Sequence, residues 1–302
     1  MFSFLSDKKN LCFICAIMSA CMYGTAGFYG TKIIQEGIAI DTMLFFRFFL
    51  SLVLCLFVAA YVRKQIVVNK SFFIQIAISA IFYTAATLFC FKASQKIGVG
   101  ISMSIFFVFP LFNVLLSWLY KKESITRLVL LTQLLAIIGL YLISFSTTKV
   151  ALNFEGVFCS LFAALNFALY LFFSKRLIDK TKNYMGSLVA VFFGNTLMFL
   201  LISILNGNFH LPTEITTYKN IFSMSVISTI TPTVLLVYSL SKIGSAQVAI
   251  LSVFEPICAV IIGVVCLAEN LSNLQLVGVV VIIFSGFLIY KERSFKGVTD
   301  AN

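Results

Sequence analysis

Residues 96–123, KIGVGISMSIFFVFPLFNVLLSWLYKKE, and residues 242–269, KIGSAQVAILSVFEPICAVIIGVVCLAE, decide the fold. Lys96-Ile97-Gly98 recurs as Lys242-Ile243-Gly244, Phe109-Pro110 as Glu255-Pro256, and Glu123 as Glu269, all at an offset of 146. One residue further out of step, Gly139 matches Gly286, and upstream Ala20–Lys32 aligns with Ala163–Lys175 at an offset of 143. Matches so widely spaced at a near-constant offset mark an internal duplication rather than shared composition. Between the matched points both stretches are almost wholly apolar.

Working outward, the whole chain has that character. Of 302 residues, 61% are hydrophobic and only 11% are charged, and 34 are Phe. Soluble domains carry about 25% charged residues, too many for this chain to resemble one. Lipid can cover such a surface where water cannot. Apolar runs of spanning length fall at 11–34, 42–62, 72–91, 97–120, 126–146, 153–174, 184–205, 219–240, 245–268 and 273–290. The expected fold is therefore an all-α integral membrane protein of ten transmembrane helices. It divides into a first repeat over 11–146 and a second over 153–290. Five spans is an odd number, so the second copy enters the membrane from the opposite side, giving two inverted five-helix units. Carriers that work by alternating access commonly have this architecture. Duplication also occurs in membrane proteins that transport nothing, so a scaffold or receptor is the reading of another class.

The net charge of +11 suggests a nucleic-acid partner, but the positions of the charges speak against one. Sixteen Lys and Arg fall on one side of the membrane and five on the other, and Arg47 inside a span completes the 22. That imbalance places both termini in the cytoplasm. No basic stripe interleaved with exposed aromatics is present. The N-terminal apolar run from Leu11 is long enough to span and reads as an uncleaved first helix. The partners to expect are a small-molecule substrate and the lipid bilayer of an inner membrane, with a homodimer as the protein assembly considered. No cofactor is expected. The eight cysteines lie in apolar stretches and read as small buried hydrophobes. His210 stands alone in a polar loop beside Pro212, so no metal site is expected. With one histidine and no phosphate-binding loop, the chain offers no catalytic constellation, and an enzyme is disfavoured.

The repeated segments resemble the EamA family of the drug/metabolite transporter superfamily. Phe254-Glu255-Pro256-Ile257-Cys258-Ala259-Val260 leads into Leu267-Ala268-Glu269-Asn270-Leu271-Ser272 and then Gln275-Leu276-Val277-Gly278. This is similar to the family's "EP-x-x-A…GE-x-L-S…Q-x-x-G", with Ala268 where the pattern has Gly. Arg47-Phe48-Phe49-Leu50 resembles the family's "RF-x-x". The first unit keeps Phe109-Pro110 without the Glu, and has Lys122-Glu123-Ser124 for the second part. The resemblance covers residues 12–290. It implies a secondary transporter of a small metabolite, whether an amino acid, a nucleoside-like compound or an amphiphile. S-adenosylmethionine or a similar cofactor is the alternative cargo.

An ionisable group at the bilayer centre costs on the order of 2.5–3.5 kcal/mol on insertion scales, so each one needs a reason. Arg47, a few residues into span two, either snorkels to the outer interface or faces a cavity to meet an anionic group. Glu255, well inside span nine, either caps backbone freed by Pro256 or binds a cationic group or coupling proton. Lys92 reads as an interface anchor, and Glu123 and Glu269 as caps. Pro110, Pro232 and Pro256 stand inside apolar spans, as hinges or as fixed kinks. Tyr23, Tyr83, Asn113, Asn166, Asn195, Tyr170 and Tyr238 are the further polar candidates. The 143 offset pairs Tyr23 with Asn166, and a site between repeats would use symmetry-related positions of this kind.

Overall fold

In lipid, backbone N–H and C=O groups find no water, so a spanning segment must satisfy them within itself. The computed structural model describes residues 8–61, 66–97, 102, 105–121, 127–145, 153–181, 183–243, 248, 251–252, 254–267, 272–274, 276–281, 284–285 and 288. Among these the secondary structure is helical, with no strand. Six segments among the described residues are long and apolar enough to cross a bilayer: Leu11–Gln35, Ile40–Tyr61, Lys70–Ile97, Phe154–Thr181, Tyr184–Leu205 and Ile215–Lys242. They lie where spans one, two, three, six, seven and eight are expected, and keep those numbers below. Helices Phe109–Lys121, Arg127–Phe145 and Phe254–Leu267 occupy the places of spans four, five and nine. Span ten falls partly outside the described residues, as do Gly98, Glu123, Gly244, Glu269 and Gly286 of the repeat.

The halves interlock. Span two packs on span seven, span three on span six, span one on span eight; span one also meets span nine, and span four meets span six. Exchanging the repeats, one for six, two for seven, three for eight and four for nine, maps this pattern onto itself. The local backbone obeys the same exchange. Span three carries a π-helical turn at Ser79–Tyr83 and span eight one at Val226–Ile230, an offset of 147. Inserted π turns are rare and frequently sit at functional sites. Each turn also marks a close crossing. Ser225 Oγ donates to the Arg47 carbonyl at 3.1 Å, and Ser79 Oγ to the Ala190 carbonyl at 3.4 Å. The 143 offset relates Arg47 to Ala190, so these are one contact made twice.

Gly194 allows the crossing of spans three and seven. A Cβ there would stand 2.6 Å from Ser79 Oγ and 2.8 Å from the Ile76 carbonyl, and the latter cannot swing aside. Gly194→Ala should therefore cost about 1–3 kcal/mol through overpacking. Thermal unfolding in detergent checks this; an unchanged Tm would show that the spans separate freely.

Spans two and seven are also joined at one end, where span two begins and span seven finishes. Gly207, with φ 67°, turns the chain as span seven finishes. The turn brings Asn206 and Asn208 onto Asp41, whose Oδ2 accepts from their amides at 2.9 and 3.0 Å. Asp41 Oδ1 accepts from Thr42 N at 2.9 Å, so this buried carboxylate has amide donors at both oxygens. Lys96 pairs with Glu155 at 2.6 Å, tying span three to span six at the same end. Aromatic rings fill the interior, as where Phe48 stacks on Phe199 at 5.6 Å. Other large side chains face outward for lipid to cover, such as Phe57 and Val265.

Candidate substrate site between the repeats

A proline inside a helix has no N–H for the carbonyl four residues back. Pro232 follows the π turn of span eight, and the carbonyl it leaves free is that of Ser228. Arg47 fills the vacancy. Its Nη2 donates to Ser228 O at 2.9 Å and its Nε to Thr229 Oγ1 at 2.6 Å. Thr229 Oγ1 in turn donates to the Met224 carbonyl, five residues back, at 3.0 Å. Arg47 is 5% exposed and its guanidinium is bonded inward to span eight, so it does not snorkel. Its guanidinium also lies over the Phe48 ring at 5.4 Å. Among the described residues Nη1 makes no hydrogen bond, which leaves part of the planar fork for another group.

Span one seals the same stretch of span eight. Ser19 Oγ donates to the Pro232 carbonyl at 2.7 Å, Thr25 Oγ1 meets Ser228 Oγ at 2.5 Å, and Tyr23 OH meets Thr233 Oγ1 at 2.8 Å. Thr233 Oγ1 donates to the Thr229 carbonyl at 2.5 Å, linking Tyr23 to the residues that hold Arg47. Tyr23 also lies within electrostatic reach of Tyr83, which belongs to the π turn of span three. Tyr83 is buried edge-on against Tyr170 at 4.8 Å and Phe48 at 5.7 Å. Glu255, from the first turn of Phe254–Leu267, lies within electrostatic reach of Arg47, Tyr83 and Cys90. The structure thus gathers Tyr23, Arg47, Tyr83, Tyr170 and Glu255 from spans one, two, three, six and nine.

Two features make this a site rather than packed core. Tyr23, Cys90 and Glu255 are half-buried rather than fully packed away. Arg47 and Glu255 attract each other but form no ion pair; among the described residues the ion pairs are Lys96–Glu155 and Lys175–Asp179. A positive and a negative group, one from each repeat, stand within electrostatic reach of each other. Their sister positions hold Ala190 and Phe109, so the charge is asymmetric where the backbone is symmetric. Phe167 completes an aromatic flank, 4.8 Å from Phe109 and 6.0 Å from Tyr83. Among the described residues no group of three or more His, Cys, Asp or Glu is placed to hold a metal ion.

Other sequence candidates fall elsewhere. Asn113 is fully buried and donates to the Ala168 carbonyl at 3.1 Å, joining span four to span six. Asn166 turns back on its own helix, donating to Phe162 O at 2.8 Å, so its pairing with Tyr23 by offset is not a pairing by contact. Asn195 accepts from Thr84 Oγ1 at 3.0 Å where spans three and seven meet. Tyr238 is 38% exposed beside Cys12 and Lys92 lies over Phe89 at 5.6 Å, both outside the cluster. Pro110 and Pro256 stand in the first turns of Phe109–Lys121 and Phe254–Leu267 rather than in helix interiors. There a proline forfeits no helical hydrogen bond. Ser228, Thr229 and Thr233 are not singled out by the sequence reading. Their signal is the run Ser228-Thr229-Ile230-Thr231-Pro232-Thr233, hydroxyls crowded around a proline within an apolar span.

Multiple apolar helices in two matched halves, with charged and hydroxyl groups gathered between them, define a multi-pass membrane protein. The chain belongs to the EamA-like transporter family, part of the drug/metabolite transporter superfamily, and the family's profile matches residues 10–145 and again 154–291. Among curated relatives it is similar to the uncharacterized transporter YdfC of Bacillus subtilis (strain 168), 24% identical over 187 residues. That match covers 62% of this chain and 61% of the relative. It is also similar to the uncharacterized transporter sll1319 of Synechocystis sp., 25% identical over 206 residues, covering 65% and 60%. The chain thus spans about six-tenths of the length of the curated relatives it matches. Among solved structures, one crystal structure superposes with a TM-score of 0.75 over 92% of this chain and 96% of that one. At 14% identity it shows the fold alone.

Proposed function

We propose that this transporter is a secondary carrier that moves a small zwitterionic metabolite, of the amino-acid type, across the inner membrane by alternating access. Ten spans in two inverted five-helix units would house it, with both termini in the cytoplasm. One observation carries the reading: Arg47 and Glu255, contributed by different repeats, stand within electrostatic reach of each other without pairing. A guanidinium takes a carboxylate in a bidentate grip, a carboxylate takes an ammonium, and the rings of Phe48, Tyr83 and Phe167 accept an apolar body between. Rocking one repeat against the other would separate the two charges and release a ligand that bridges them. Exchange of a proton on Glu255 would couple the cycle to a gradient.

The test is counterflow in proteoliposomes holding the purified protein, with radiolabelled L-phenylalanine and L-leucine as probes. Accumulation above empty liposomes is expected. N-acetylphenylalanine lacks the ammonium and phenethylamine lacks the carboxylate, and neither should compete. No flux of any zwitterion, or equal competition by both analogues, would sink the reading.

A further inference from the structure

Away from the central cluster, Gln75 of span three is 1% exposed, and its Nε2 donates to Ser174 Oγ of span six at 3.0 Å. Its Oε1 is one of two buried side-chain oxygens, with Asn113 Oδ1, that lack a hydrogen-bond partner among the described residues. Turning the amide over does not cure this. Ser174 would then meet Oε1 and leave Nε2 unpartnered, because the hydroxyl reaches one end only. A buried amide left half-satisfied is worse than an apolar side chain of the same shape. Such an atom in a polar setting calls for a small donor that the protein does not supply, and water is that donor.

The position of Gln75 gives the water a purpose. Span three begins at Lys70, capped by Asn69 on the side where the basic residues collect, so Gln75 lies near the cytoplasmic end. Ser174 is 2% exposed and adjoins the Tyr170 hydroxyl one helical turn toward the membrane centre. The Tyr170 ring packs on Tyr83 at 4.8 Å, and Tyr83 belongs to the cluster around Arg47 and Glu255. Gln75, Ser174 and the Tyr170 hydroxyl thus form a polar run through otherwise apolar packing, and the Tyr170 ring joins it to the central site.

We propose that Gln75 and Ser174 hold an internal water molecule, and that this water is the cytoplasmic limb of a hydrated passage leading through Tyr170 and Tyr83 to the central site. Hydroxyls and water both donate and accept, so water in this passage could relay a proton between the central site and the cytoplasm. That use rests on the carrier reading; the water site does not.

X-ray hydroxyl-radical footprinting of the full chain in lipid nanodiscs tests it, because radicals made from water oxidise only side chains beside that water. Peptide mass spectrometry is expected to find Tyr170 oxidised although it is 1% exposed. Phe192 and Phe199, both fully buried in dry packing, are expected to stay unmodified. Gln75→Leu should lower oxidation of Tyr170 several-fold while leaving that of the outer Tyr218 unchanged. Ser174→Ala should do the same, and replaces the first variant if oxidation of Phe199 shows that it has unfolded. An unmodified Tyr170 in the wild type overturns the proposal. So does a Tyr170 oxidised equally in the wild type and in whichever variant keeps Phe199 protected. Oxidised Tyr170 with no zwitterion flux would instead count against the carrier reading and leave the water site standing.

Discussion

Arg47→Ala is expected to lower uptake of L-phenylalanine into proteoliposomes by about a hundredfold or more, with the protein still inserting and folding. The size follows from the hydrogen bonds that the substrate carboxylate forfeits. Hydrogen bonds to a charged group contribute about 1.5–3 kcal/mol each, and about 1.4 kcal/mol is tenfold in affinity. A bidentate grip on a carboxylate therefore accounts for two decades. The fold suffers less, because Thr229 Oγ1 keeps its bond to Met224 O and only the Ser228 carbonyl is left without its charged donor. A decrease in stability of about 1–3 kcal/mol is expected from that orphaned group. Arg47→Lys keeps the charge but not the fork and should fall between. If Arg47→Ala lowers Tm but leaves uptake within a few-fold, the guanidinium serves only to bind span two to span eight, and the substrate role is wrong.

The second large effect is on coupling. In wild-type proteoliposomes, a gradient of one pH unit, acid outside, is expected to drive about tenfold accumulation per proton, since one unit is worth about 1.4 kcal/mol. Glu255→Gln cannot carry the proton, so accumulation should collapse to a ratio near one. Exchange at equal pH should continue, because the amide still offers a polar group to the ligand. Accumulation that persists in Glu255→Gln would remove Glu255 from the coupling step. Loss of exchange as well would make it a binding residue instead. Sister-position variants sharpen both results. Changes at Ala190 or Phe109 alter the same places in the other repeat without touching either charge.

Arg47 and Glu255 can be selected from the sequence because a charge inside an apolar span is costly and so has a reason to be there. Tyr23, Tyr83 and Tyr170 are selected with less discrimination, together with Asn113, Asn166 and Tyr238, which join no part of the cluster. The difference between these groups is invisible along the chain. Each is a polar side chain in an apolar helix, and which face it presents depends on packing that periodicity does not record. Asn166 shows the limit of symmetry: its offset partner Tyr23 reaches across to Thr233, whereas Asn166 bonds its own helix. The π turns are equally hidden, because an inserted residue in a helix leaves no mark in composition.

By itself the sequence determined the class of the protein, the duplication and the transporter family. Composition compels a lipid environment, spanning length follows from bilayer thickness, and motif spacing survives whatever the packing. What the polar residues touch depends on how the helices pack. Pro232 frees a carbonyl that Arg47 finds, and this depends on span two crossing span eight at Ser225. Gln75 is left half-satisfied, and this depends on Ser174 arriving from span six. Pairings between residues far apart in the chain are set by how the helices fit together, and that fit is what turns scattered polar residues into a site.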